Sequence, residues 1–232
     1  MTSQNDSLIA PSALPSGALH AVSSARLNKP TGRPDTVAVG TIVWLASELM
    51  FFSALFAAYF WIRNATNEQG VNGVTLWSEN SQHLDIVFAS INTTILVLSS
   101  VTCQLGVHAA ERGRISGSWL NPLKWGLREA FTITFVLGSL FVAGQLWEYF
   151  TIFGEGFQIS TNVYWSAFFL ATGFHGLHVV GGLVAFLFVL ARSYMSVTHT
   201  HEQVVTAHVV SYYWHFVDVV WIVLFGVIYW LR

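Results

Sequence analysis

The chain reads as an all-α integral membrane protein: a bundle of five transmembrane helices, N-terminus cytoplasmic and C-terminus outside. Three observations predict this. Hydrophobic residues make up 53% of the 232 and charged residues only 9%, where a soluble domain carries about a quarter charged. Five apolar segments each reach the roughly 20 residues that cross a bilayer core. The basic residues, finally, sort to one side of those segments.

Residues 1–35 differ in kind from the rest. They hold four of the five prolines (Pro11, Pro15, Pro30, Pro34) and many serines, with no long apolar run. Such a composition cannot bury enough apolar surface to order itself, so it predicts a flexible cytoplasmic tail ahead of a membrane domain at 36–232. It also lacks the apolar core of a secretory signal, which leaves the first span as its own insertion signal.

The predicted spans are 37–62, 84–110, 130–153, 163–191 and 204–231. Aromatic residues gather near their ends (Trp61, Trp77, Trp119, Trp125, Trp165, Tyr229, Trp230), as they do at membrane interfaces. With the tail inside, the cytoplasmic segments carry Arg26, Lys29, Arg33, Arg112, Arg114, Lys124, Arg128 and Arg192. The outer side keeps only Arg63 and Arg232. An even number of spans would spoil this positive-inside pattern.

Other features limit the possible functions. A net charge of -2 supplies no basic field for nucleic acid. Cys103 stands alone, so there is no internal disulfide and no thiolate metal cluster. Glycines 138, 144, 173, 176, 181 and 182 lie within the third and fourth spans, where small residues let helices approach closely in lipid.

Ionisable groups in hydrocarbon are costly and mark function or a buried partner. Glu48 lies about 15 Å into the first span at the helical rise. Apolar neighbours surround it, and desolvation there favours the uncharged acid. It is a candidate for proton handling or partner contact, or a plain interhelical hydrogen bond. Glu148, near the outer end of the third span, can reach the interface. His175, His178, His208, His215 and Asp218 lie on the last two spans, with His199 and His201 in the loop between. Two histidines and a carboxylate could make a mononuclear metal site. The alternative is that His215 and Asp218 satisfy each other or adjacent helices, while the His175 face packs through small residues. No Glu-x-x-His pair, haem-attachment motif or phosphate loop is present, so the chain offers no active site of its own.

Several stretches resemble subunit III of the haem-copper cytochrome c oxidases of the aa3 type. They are Ser47-Glu48-Leu49-Met50-Phe51-Phe52, Arg128-Glu129-Ala130-Phe131, Gln145-Leu146-Trp147-Glu148-Tyr149, Thr172-Gly173-Phe174-His175-Gly176-Leu177-His178-Val179, and Tyr213-Trp214-His215-Phe216-Val217-Asp218-Val219-Val220-Trp221. The last two are the most specific. The likeness spans residues 40–232 and is closest to five-helix bacterial members, because the chain begins at what would be the third helix of the seven-helix form.

The resemblance implies an accessory, non-catalytic subunit of a proton-translocating oxidoreductase in a bacterial plasma membrane. Subunit I would be its main contact, with subunit II and small subunits nearby. This chain would bind no cofactor; haem a and copper would sit in the partner subunits. The complex would carry electrons in aerobic respiration, reduce dioxygen to water and pump protons. Glu48 takes the place of the family's intramembrane glutamate, and Arg192, with His199 and His201 close behind, that of a phospholipid contact. In the quinol oxidases an aspartate tends to stand at the Glu48 position, and Phe-Trp-His-Phe-Leu-Asp where Tyr213 to Asp218 stand. Both details favour cytochrome c as electron donor. A quinol oxidase subunit III and a freestanding histidine-based membrane metalloenzyme are the alternatives.

Overall fold

The computed structural model describes residues 36–67, 75–119, 121, 124–195 and 201–231. The predicted tail at 1–35 and His199 lie outside the described residues, as does the side chain of His201. Five helices are long and apolar enough to span a membrane. They are α1 (Thr36–Asn67), α3 (Ile86–Glu111), α4 (Leu127–Gly154), α5 (Val163–Met195) and α6 (His201–Phe225), the last continued by a π-helical turn at Gly226–Trp230. A short α2 (Leu76–Asn80) and a 3-10 turn (Ser81–His83) bridge α1 to α3. The described residues contain no strand.

Hydropathy locates the spans, but hydrogen bonding sets where helices begin. Asp85 caps α3 by accepting from the backbone N–H groups of Val87 and Phe88, at 2.9 and 3.1 Å. Such a cap satisfies donors that the first turn leaves free. The third span was expected to start at 130; α4 starts at Leu127 because charged Glu129 belongs to the helix. Its carboxylate accepts from Gly126 N–H (3.0 Å), Gly117 N–H (3.0 Å) and the Ser116 hydroxyl (2.8 Å), tying the preceding loop to the helix start. Gly113 and Gly156 follow α3 and α4 with φ of +69° and +89°, a left-handed backbone that other residues avoid.

Central α6 packs on α3, α5 and α1, while α4 packs on α3 and α5. Its Trp214 is fully buried and fits a notch cut by two glycines. A Cβ on Gly138 of α4 would lie 2.6 Å from the indole, and one on Gly182 of α5 would lie 2.8 Å from it. The indole N–H donates to Ser99 of α3 at 2.9 Å. One side chain thus joins four helices. Gly144 makes similar room for Asn92, whose amide donates to the Phe141 carbonyl at 3.1 Å. Gly173 does not bring backbones together, since only the Tyr149 hydroxyl lies near it, at 3.8 Å. Peripheral α1 leaves Met50 and Trp61 exposed, as a lipid-facing helix would.

Candidate functional site

The five ionisable residues of the last two spans do not converge. Only His215 and Asp218, three residues apart on one face of α6, share a partner, Ser100, and the others turn to different neighbours. Among the described residues no group of three or more His, Cys, Asp and Glu side chains could hold a metal ion.

His175 is fully buried. Its ring lies 4.8 Å from that of Trp221 and 6.0 Å from that of Phe141, and neither ring nitrogen has a hydrogen-bond partner. The small-residue packing expected around it is therefore replaced by an aromatic box. His178, one turn on, faces α1 instead. Its Nε2 lies 3.2 Å from Glu48 Oε2, and its Nδ1 lies 2.7 Å from the Phe174 carbonyl. Since a carbonyl only accepts, Nδ1 carries the proton. Nε2 and Glu48 Oε2 then share one proton, carried either by the acid or by the ring. The pair is only partly enclosed, with side-chain exposures of 22% for Glu48 and 17% for His178. Tyr213 closes this cluster, donating to the His178 carbonyl at 2.9 Å and stacking on Trp44 at 5.4 Å.

His215 and Asp218 satisfy an adjacent helix rather than each other. His215 Nδ1 lies 2.9 Å from the Ser100 hydroxyl of α3, and its Nε2 lies 3.2 Å from Gln104 Oε1. Ser100 also bonds Asp218 Oδ2. A polar seam continues along α3 and α6: Gln104 approaches His108 at 3.5 Å, and Glu111 bonds both His108 (3.1 Å) and His208 (3.0 Å). These two imidazoles take different oxygens of Glu111, which is the reverse of two ligands meeting at a metal.

Glu148 accepts from the Tyr229 hydroxyl at 2.7 Å, a bond to the π-helical turn that continues α6. Arg192 pairs with Glu202 at 2.6 Å, beside an open apolar hollow lined by Phe188, Ala191 and Met195. Ser100, Gln104 and Ser99 are the polar residues that pattern reasoning missed. Serine and glutamine in an apolar helix are cheap enough to pass unnoticed. Their spacing at 100, 104, 108 and 111, with His108 and Glu111, could have marked one face of α3.

Fold and polar clusters together define a multi-pass membrane protein whose in-membrane polar groups bond one another across helices. Comparison with known proteins narrows this class. The family model for cytochrome c oxidase subunit III matches residues 31–232. A Mycobacterium tuberculosis protein named "Probable cytochrome c oxidase subunit 3" is 50% identical over 200 residues, covering 86% of this chain and 90% of the relative. A Corynebacterium diphtheriae protein named cytochrome c oxidase subunit 3 is 47% identical over the same shares of the two chains. One of the same name from Thermostichus vulcanus is 34% identical, covering 84% of this chain and 88% of the relative. The chain belongs to the cytochrome c oxidase subunit III family.

Proposed function

We propose that this chain is the accessory subunit III of a proton-pumping cytochrome c oxidase in a bacterial plasma membrane, and is itself non-catalytic. The observation that carries this reading is near-50% identity over most of both chains to relatives bearing that name. Subunit I is its main partner, with subunit II and small subunits completing the assembly. Haem a and copper belong to those partners and supply the oxygen chemistry. This chain supports the catalytic subunit, proton uptake and respiratory electron transport over sustained turnover.

Its own residues contribute interhelical polar contacts at Glu148, His178, His215 and Asp218, an interhelical ring contact at His175, and a proton-related acid at Glu48. The Arg192 guanidinium beside an apolar hollow suits a phospholipid, charge to headgroup and hollow to acyl chain. The family resemblance carries the same lipid role to His199 and His201. Residues 1–35 form a cytoplasmic tail outside the 36–232 membrane domain, and the positive-inside distribution supports this orientation.

The experiment is to capture the complex through a tag on this chain, record its haem a absorbance and copper content, and then separate the chain. The intact complex should hold both, and the separated chain neither. Stoichiometric iron, copper or zinc retained by the separated chain would favour a metalloenzyme.

A further inference from the structure

Asp218 is 4% exposed, and its Oδ1 is buried with no hydrogen-bond partner. A carboxylate there would leave a charged oxygen uncompensated, which is far more costly than an unpaired neutral carbonyl oxygen. Its other oxygen meets the Ser100 hydroxyl, which also meets His215 Nδ1 at 2.9 Å. One hydroxyl hydrogen cannot serve both neighbours, and this limits the proton arrangements. Three arrangements satisfy both bonds: Asp218 the acid, donating to Ser100 while Ser100 donates to a neutral His215; Asp218 a carboxylate and His215 an imidazolium donating to Ser100; or Asp218 a carboxylate and a neutral His215 donating from Nδ1. The first two differ by a shift of two hydrogens along the same pair of bonds, and the third holds one proton fewer. Gln104 Oε1, 3.2 Å from His215 Nε2, accepts the N–H that the neutral ring carries there.

We propose that Asp218, Ser100 and His215 form a proton-holding relay in the middle of the bundle, with Asp218 as the store and His215 as its outlet. In discharge, the Asp218 O–H bond breaks as Ser100 Oγ takes that proton. The serine O–H breaks as Nδ1 of His215 gains its proton, and the Nε2–H bond breaks in favour of water at the partly exposed imidazole. One proton leaves, Asp218 becomes a carboxylate, and His215 remains neutral with its proton on Nδ1. Recharging runs the same steps backwards. The other titratable groups of this seam are Cys103, His108 and Glu111 on α3 and His208 on α6. Cys103 is fully buried, whereas His108, Glu111 and His208 form the chain that leads from Gln104 to the end of the helices. The relay does not depend on which electron donor the complex uses.

The test is infrared spectroscopy of the intact complex during transfer from H2O to D2O. The carbonyl band of a protonated carboxyl that disappears in Asp218→Asn identifies the Asp218 acid. That band should be present at neutral pH and shift on deuteration. The shift should be at least tenfold slower in Ser100→Ala, which breaks the bridge, and restored in Ser100→Thr, which keeps a hydroxyl. His215→Phe should slow it equally, so the test stands if Ser100→Ala fails to assemble. No band lost in Asp218→Asn, or unchanged exchange in Ser100→Ala or His215→Phe, would overturn the relay. The readout requires no oxidase activity, so its failure would leave the subunit III assignment intact.

Discussion

Trp214→Ala should destabilise the bundle more than any other single truncation, by about 2–3 kcal/mol. Truncating a large buried aromatic costs roughly 3–5 kcal/mol in water-soluble cores, much of it from the cavity left behind. In a bilayer the hydrophobic share of that cost is absent, because lipid is as apolar as the helix interface, and packing and hydrogen bonds remain. The indole is fully buried and fills the notch between Gly138 and Gly182 while bonding Ser99. Removing it therefore opens a void where four helices meet and strands the serine hydroxyl. The expected result is a lower melting temperature of the complex and less of this chain recovered in it. Gly138→Ala supplies the converse, since a methyl there must push against an indole 2.6 Å away, and overpacking costs about 1–3 kcal/mol. Wild-type melting in both variants would mean that the notch does not organise the bundle.

Glu48 carries the second large effect. Hydrophobic carbodiimides attack neutral carboxyls in apolar surroundings, and we propose that Glu48 is such an acid, sharing its proton with His178 Nε2. Glu48 should therefore take the label in preference to the exposed Glu79 and Glu111, and Glu48→Gln should cut total labelling of the chain at least tenfold. Interhelical hydrogen bonds in membranes are worth only about 0.6 kcal/mol on average. That is too little for the glutamine variant to lose assembly. Its oxygen uptake should begin near the wild-type rate and decline sooner under turnover. Mass spectrometry of the labelled chain locates the adduct; a label distributed evenly over Glu48, Glu79 and Glu111 would contradict a neutral acid at Glu48.

The five spans were legible because a bilayer demands long apolar runs, and hydropathy measures little else. Their ends were less so. Glu129 looks like the outside of a membrane helix and is instead its first-turn anchor, buried by bonds to a loop that a hydropathy window cannot see. The glycines announced close approach, but not that Trp214 from a third helix would fill the gap at Gly138 and Gly182. His215 and Asp218 stood out as polar residues in an apolar run, while Ser100, which joins them, did not. Linear spacing could suggest that the histidines of α5 and α6 form one site. Three-dimensional packing sent His175 to an aromatic box, His178 to α1, and His208 and His215 to separate points on α3. That divergence follows from side-chain direction around each helix, which depends on the neighbours' placement and not on spacing alone.

We propose above all that this chain assists an oxidase without performing its chemistry. The most direct measurement is oxygen uptake, from the first seconds onward, by a complex from which this chain has been removed while haem a and copper remain at full occupancy. The initial rate should be of the same order as that of the intact complex, followed by faster loss of activity as turnover proceeds. Immediate and near-total inactivity in that fully loaded complex would contradict it.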